Sequence, residues 1–180
     1  MVKVVIFDVD GTLTDGQIAH FHVLELDAWQ YEPPRIIRGR SFSTLDSKGM
    51  WLLRESGVQV WICGGDDSLH LRDRLDWIGV DGQLLDPKDK REIFYQLTQP
   101  KSEIAFMGND VNDLPIMREV GVVACPVDAY YPVLEYVKQR GGFISKLVAG
   151  HGAVREFCDW LITRNNADRQ AGGIPAYWGG

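Results

Sequence analysis

Cysteine is scarce. Cys63, Cys125 and Cys158 are the only three in 180 residues, far apart, with no CxxC pair and no histidine at zinc-ligand spacing. That pattern argues against a disulfide framework and against a cysteine-based zinc site. Long apolar runs are missing too: no stretch approaches the about 20 residues of a membrane span, so no membrane partner is expected. Met1 leads into Val2-Lys3-Val4-Val5-Ile6-Phe7, which meets Asp8 too soon for a secretory leader, and the expected location is the cytoplasm. Positive charge is the minority, with 19 Lys plus Arg against 25 Asp plus Glu and a net charge of −6. No basic run interleaves with aromatics, so a nucleic-acid partner is not expected. What is abundant is apolar residue, 45% of the chain, enough for one full-sized core and too little for two large domains.

Val2 to Phe7 is a short β-branched run broken by a single Lys, the pattern of a strand buried on both faces of a parallel sheet. Similar runs recur at Val58–Ile62, Ile104–Met107 and Gly121–Ala124. Between them, helical spacing predicts helices over Leu45–Glu55, Ser68–Ile78, Lys90–Leu97, Leu114–Val120 and Ala153–Arg164, the first two stopped by Gly57 and Gly79. Strands alternating with helices predict a three-layer, Rossmann-like α/β domain over residues 1–166 with a central parallel sheet. Two regions break the rhythm. Gly16 to Phe42 carries Phe21, Val23, Trp29 and Tyr31 around a Pro33-Pro34 break and reads as a β-hairpin flap. Residues 167–180, Gly-rich and ending near Tyr177-Trp178, read as a flexible tail unless another subunit holds it.

The strongest chemical signal is Phe7-Asp8-Val9-Asp10-Gly11-Thr12-Leu13-Thr14, placed where a buried parallel strand ends. Ligands of open α/β sheets bind outside the carboxyl ends of strands, so Asp8 and Asp10 face that crevice and, with a bend at Gly11, can share one metal. Met107-Gly108-Asn109-Asp110-Val111-Asn112-Asp113 sits at the end of another buried strand. Asn109 and Asp110 are candidate metal ligands there, with a turn and helix N-cap as the structural alternative. Lys90, with Lys88 as its competitor, opens a predicted helix and suits an anion-facing role. Cys63-Gly64-Gly65 follows the strand Val58–Ile62; the glycine N–H groups can cradle an anion, and Cys63 is either a weak donor to it or a buried structural thiol.

Asp8-Val9-Asp10-Gly11-Thr12 resembles the first motif of the haloacid dehalogenase superfamily, and Met107 to Asp113 resembles its fourth. The resemblance implies that Asp8 is a nucleophile taking a phosphoryl group, that Asp10 is the general acid and base, and that Lys90 pins the nucleophile and the phosphoryl oxygens. It also implies Mg2+, held by Asp8, Asp10 and Asn109 or Asp110, because an ionised carboxylate is repelled by a phosphate dianion unless a cation stands between them. Two departures stand out. Asn109 occupies the place of an acid, and Cys63 the place of a Thr or Ser that donates to phosphate, so a hydroxyl at 63 is expected to raise turnover.

Neither gap between the motifs has room for a cap domain. The capless pattern resembles 3-deoxy-D-manno-octulosonate 8-phosphate phosphatases and the phosphatase-like domains found with acylneuraminate cytidylyltransferases. The strings that carry this are Asp15-Gly16, Phe42, Asp46-Ser47-Lys48-Gly49, Asp89-Lys90, Val127-Asp128-Ala129 with Val133, and Gly150-His151-Gly152-Ala153-Val154-Arg155-Glu156. The implied activity is hydrolysis of the phosphate monoester of an eight- or nine-carbon 2-keto-3-deoxy sugar acid, in a homotetramer whose neighbouring flap or tail closes the site. The Gly-Asn-Asp form at 108–110 leans toward the nine-carbon acids, and Arg35, Arg38, Arg40 and Arg155 are candidates for a substrate carboxylate. The alternative is a catalytically weak tetrameric module supporting a cytidylyltransferase.

Overall fold

The computed structural model describes residues 1–23 and 35–171. Six parallel strands form one sheet: β1 (Val4–Phe7), β4 (Gln59–Gly64), β5 (Gly82–Leu85), β6 (Ile104–Met107), β7 (Val122–Cys125) and β8 (Phe143–Ile144), in the order β5-β4-β1-β6-β7-β8. β1 pairs with β4 on one side and β6 on the other, with Phe7 opposite both Ile62 and Met107. This register brings three chain turns, at Asp8, Gly64-Gly65 and Gly108-Asn109, to one end of the sheet. The edge strands β5 and β8 are the two that the apolar runs did not announce.

Period-two alternation divides the buried side chains between the two faces. Val5 and Phe7 of β1, Val60 and Ile62 of β4, Ala105 and Met107 of β6 belong to one apolar cluster. It is covered by α1 (Thr44–Glu55), α2 (Leu69–Ile78) and α5 (Ala153–Ala171), through Met50, Leu53, Leu71, Leu75, Phe157 and Leu161. Val4, Ile6, Ile104 and Phe106 face the other cluster, closed by α3 (Leu114–Met117), α4 (Tyr131–Gln139) and a tight helical stretch Lys90–Gln96. The result is the three-layer α/β fold. Among the described residues nothing larger than a hairpin or one helix interrupts it.

The flap is present as an antiparallel pair, β2 (Ala19–Val23) and β3 (Arg35–Gly39), with Ala19 opposite Gly39 and Val23 opposite Arg35. Trp29, Tyr31 and Pro33-Pro34 lie outside the described residues, as do Tyr177 and Trp178. The last helix is longer than its apolar pattern: α5 continues past Arg164 to Ala171. The cause is a long-range contact. Buried Asn165 accepts from Val2 N–H at 2.9 Å and donates to Val2 C=O at 2.8 Å, and Arg169 Nη2 donates to Ser56 C=O at 3.0 Å. No described helix is long and apolar enough to cross a membrane.

Candidate active site

At the end of β1, Asp8 N–H donates to Met107 C=O at 3.0 Å, and the chain then turns over Val9–Leu13, with Thr14 N–H returning to Val9 C=O at 3.0 Å. Asp10 is extended and Gly11 has φ +78, a left-handed conformation that glycine adopts without penalty; a Cβ there would also collide with the Asn109 amide. The buried Asp8 carboxylate accepts from Lys90 Nζ at 2.6 Å. Lys90 is placed by a tight N-terminal cap: Asp89 Oδ1 accepts from Arg91 N–H at 2.9 Å, and Glu92 Oε1 from Asp89 N–H at 3.1 Å. Lys88 takes no part in this contact.

Lys90 Nζ has a second partner, Asp113 Oδ1 at 2.5 Å, and Asp113 is fully buried. Its Oδ2 accepts from Asn109 N–H at 2.8 Å and Asp110 N–H at 3.2 Å, closing the turn after β6. A Cβ at Gly108 would strike this carboxyl group, which accounts for the glycine. Sequence reasoning quoted Asp113 within its motif but gave it no role; the available signal was a third acid four residues beyond Asn109 in the turn after a buried strand. Two carboxylates and one ammonium leave one excess negative charge in this buried spot. Burial and the neighbouring Asp113 push Asp8 up to about 7, against the opposing pull of Lys90. Burial works to lower Lys90, but its two carboxylate partners outweigh that and hold it above the ordinary lysine range.

The metal-ligand expectations divide. One terminal atom of the Asn109 amide lies 3.0 Å from both Asp8 Oδ2 and the Asp10 carbonyl oxygen. As N–H2 that atom donates to both; as oxygen it completes a trio of oxygens. A spacing of about 3 Å is the edge of an octahedron with the ~2.1 Å metal–oxygen distances of Mg2+. The donor set, one carboxylate, one amide and one backbone carbonyl, therefore fits a small hard divalent cation. Among the described residues no three His, Cys, Asp or Glu side chains converge in this way. Two expectations are corrected. Asp110 turns outward, where its Oδ1 accepts from Val111 N–H at 2.6 Å and caps the next turn. The Asp10 carboxylate faces Arg40 rather than Asp8: the Arg40 Nε and Nη2 lie 2.7 and 3.1 Å from its two oxygens.

Cys63 is corrected as well. Its side chain lies on the same strand face as Trp61, in the second apolar cluster, with Sγ 3.9 Å from Lys90 C=O. Burial pushes the thiol up to about 12, so it stays protonated, and its S–H is directed to the Lys90 carbonyl oxygen rather than to an anion in the crevice. A hydroxyl at 63 would meet the same carbonyl, and the expected gain in turnover loses its basis. Gly64 packs tightly, since a Cβ there would lie 2.6 Å from Val9 Cγ2, while Gly65 faces open space.

The branch-marking strings meet one another. Buried Asp46 accepts from Gly152 N–H at 3.2 Å and Arg155 N–H at 2.8 Å, capping the start of α5, and a Cβ at Gly49 would lie 2.9 Å from Arg155 Cα. Gly150 N–H donates to Thr12 C=O at 3.2 Å, tying this corner to the Asp8–Asp10 turn. Beside it lies a cavity of about 450 Å³ lined by Asp15, Ser41, Phe42, Ser43, Leu45 and His151, among others. Of the arginines considered for a substrate carboxylate, Arg155 pairs with Asp159 at 2.8 Å and Arg40 with Asp10, while the side chains of Arg35 and Arg38 lie outside the described ones.

No protein-family model matches the chain. The chain is 26% identical over 178 residues to the 3-deoxy-D-manno-octulosonate 8-phosphate phosphatase of Yersinia pestis, covering 96% of this chain and 86% of that one. The crystal structure of the Yersinia pestis phosphatase is similar with a TM-score of 0.76 at 27% identity, covering 94% and 84% of the two chains. The same-named phosphatase of Moraxella catarrhalis, solved with a magnesium ion, a phosphate ion and a KDO molecule, gives 0.73 at 26% identity over 96% and 92%. The cobalt-bound deoxy-D-mannose-octulosonate 8-phosphate phosphatase of Haemophilus influenzae gives 0.72 at 27% over 93% and 92%. These likenesses support the haloacid dehalogenase fold seen in the parallel sheet, make the chain similar to the 3-deoxy-D-manno-octulosonate 8-phosphate phosphatases, and identify it as a phosphoric monoester hydrolase.

Proposed function

We propose that this chain hydrolyses the phosphate monoester of an eight- or nine-carbon 2-keto-3-deoxy sugar acid, with Mg2+, through a phosphoryl group carried on Asp8. The observation that carries the reading is the buried Asp8 carboxylate, 2.6 Å from Lys90 Nζ and 3.0 Å from the Asn109 amide, at a strand end with one negative charge in excess. The relatives' substrate, a 2-keto-3-deoxy acid phosphate, supports the substrate class. Asp8, Asn109 and the Asp10 carbonyl would hold the cation, which when bound neutralises charge between carboxylate and phosphate. An oxygen of Asp8 attacks phosphorus and the bond to the sugar oxygen breaks, with Asp10 giving that oxygen its proton. Asp10 then takes a proton from the water that attacks the aspartyl phosphate, releasing inorganic phosphate and restoring Asp8. Lys90 holds Asp8 in place and offers charge to the phosphoryl oxygens, and the N–H groups of Gly64 and Gly65 supply further donors.

Asn109 brings no charge where an acid would, so a higher Mg2+ concentration is needed for half-maximal rate than with a carboxylate there. The test is phosphate release from 2-keto-3-deoxy acid phosphates and ordinary sugar phosphates, with Mg2+ and after EDTA treatment. Preference for the acid phosphates and loss of activity in EDTA are expected; release from no ester under any condition would overturn the reading. The intact Asp8, Lys90 and Asp113 cluster weighs against the catalytically weak module. The three free, buried cysteines are in keeping with a cytoplasmic location.

A homotetramer belongs to the same proposal. Ile18 and Phe21 at the hairpin, and Val111, Val127, Tyr130 and Tyr131 around the ends of β6 and β7, are exposed apolar groups beside a site that no cap among the described residues shields from water. Light scattering is expected to give four times the chain mass, and a strict monomer at micromolar concentration would overturn closure by a neighbour.

A further inference from the structure

We propose that Arg40 is the positioning residue for Asp10, and that together with Thr14 it leaves a single acceptor direction of that carboxylate, on Oδ2, free for proton transfer. This deepens the phosphatase reading and rests on it. Arg40 follows directly on β3 of the hairpin, yet its side chain is only 5% exposed. Its Nε lies 2.7 Å from Asp10 Oδ1 and its Nη2 3.1 Å from Oδ2, the forked geometry that a planar guanidinium makes and an ammonium cannot. On the far side, Nη1 lies 2.8 Å from Asp66 Oδ2 and 2.7 Å from His70 Nε2. A guanidinium has no acceptor, so in this contact it donates and His70 Nε2 accepts. Ser68 Oγ donates to Asp66 Oδ2, completing the support.

The acceptor count makes the assignment specific. A carboxylate offers about four acceptor directions, two on each oxygen. Arg40 fills one on each, and Thr14 Oγ1, 3.2 Å from Asp10 Oδ1, fills the second on that oxygen. Oδ2 keeps one that no donor among the described residues fills, on a side chain that is 37% exposed. Three separate stretches, the turn after β1, the end of the hairpin and the start of α2, thus converge to fix one proton-carrying oxygen.

The readout is leaving-group dependence. An alkyl phosphate such as a sugar phosphate needs a proton delivered to its departing oxygen, whereas a nitrophenyl phosphate leaves as a stable phenolate. In Arg40→Ala and Arg40→Lys, kcat on the alkyl ester is expected to fall on the order of 10²-fold with KM little changed, while kcat on the aryl ester stays within about threefold. Arg40→Lys restores the charge but not the fork, so it is not expected to restore the alkyl rate. Should Arg40→Ala fail to fold, Arg40→Lys and Asp66→Asn report the same ratio. Equal losses on both esters would mean that Arg40 only tethers the hairpin, and a raised KM for carboxylate-bearing esters with unchanged kcat would make it a substrate ligand; either overturns the proposal. An unchanged alkyl-to-aryl ratio, with Asp8→Asn still abolishing both activities, overturns the clamp and leaves the phosphatase reading standing. Hydrolysis of neither ester by the wild type overturns both.

Discussion

Asp8→Asn is expected to lower phosphate release by on the order of 10⁴-fold or more, and to leave the metal-free protein as stable as the wild type or more so. The amide keeps the shape of the carboxyl group but has neither the charge nor the nucleophilic oxygen. Stability moves the other way because of the excess charge around Lys90. Burial and Asp113 raise the Asp8 carboxyl to about 7, against an ordinary 3.8. Between those values the folded state binds more protons than the unfolded state, so stability falls as pH rises through that window. About a unit above pH 7 the penalty is complete, on the order of a few kcal/mol. Asparagine removes it and leaves Lys90 paired one-to-one with Asp113. Urea unfolding in EDTA at pH 5 and pH 8 is expected to show the wild type losing stability across the interval and the variant holding steady. Release above about 1% of wild type would place the nucleophile elsewhere.

The sheet interior was legible because strands buried on both faces must be apolar at every position, and Val4–Phe7, Ile104–Met107 and Val122–Cys125 are. The parallel arrangement then sends every strand end to one side, so that Asp8, Lys90 and Asn109, distant in sequence, had to be neighbours. Edge strands obey no such demand. Gly82–Leu85 is only half-buried throughout, and Phe143–Ile144 is two residues long, so neither leaves a run to read. The second half of α5 was hidden for another reason. Its polar residues show no helical apolar stripe, and what docks it is Asn165 on Val2, 163 positions away.

Side-chain direction was partly available. Trp61 and Cys63 share a strand face opposite Val60 and Ile62, and that parity alone sends the thiol into the second cluster. The orientation of Asp10 was not available. An Asp-x-Asp string is compatible with two carboxylates side by side or with one carboxylate beside the other residue's carbonyl, and the direction of the Asp10 side chain is set by Gly11 in its left-handed turn and by an arginine 30 residues on.

Lys90→Met is expected to destabilise the protein by about 3–5 kcal/mol at pH 8, and to lower phosphate release on the order of 10²–10³-fold. Methionine fills much of the lysine's volume, so the cost is electrostatic rather than a cavity. Asp113 Oδ2 keeps its two backbone N–H donors, but Asp113 Oδ1 and Asp8 Oδ1 each lose the ammonium and face each other's charge. With the lysine's downward pull gone, Asp8 takes up its proton at higher pH still, so the destabilisation should be smaller at pH 5 than at pH 8. Asp113→Asn placed in the Lys90→Met background removes the second charge while Asn still occupies the turn after β6. If the lysine's place in the fold is to hold two carboxylates together, the double variant is more stable at pH 8 than Lys90→Met alone, and the double-mutant cycle is non-additive by more than about 0.5 kcal/mol. An additive cycle would mean that the 2.5 Å contact between Lys90 and Asp113 does not couple them, and that the buried charge is balanced by some other group.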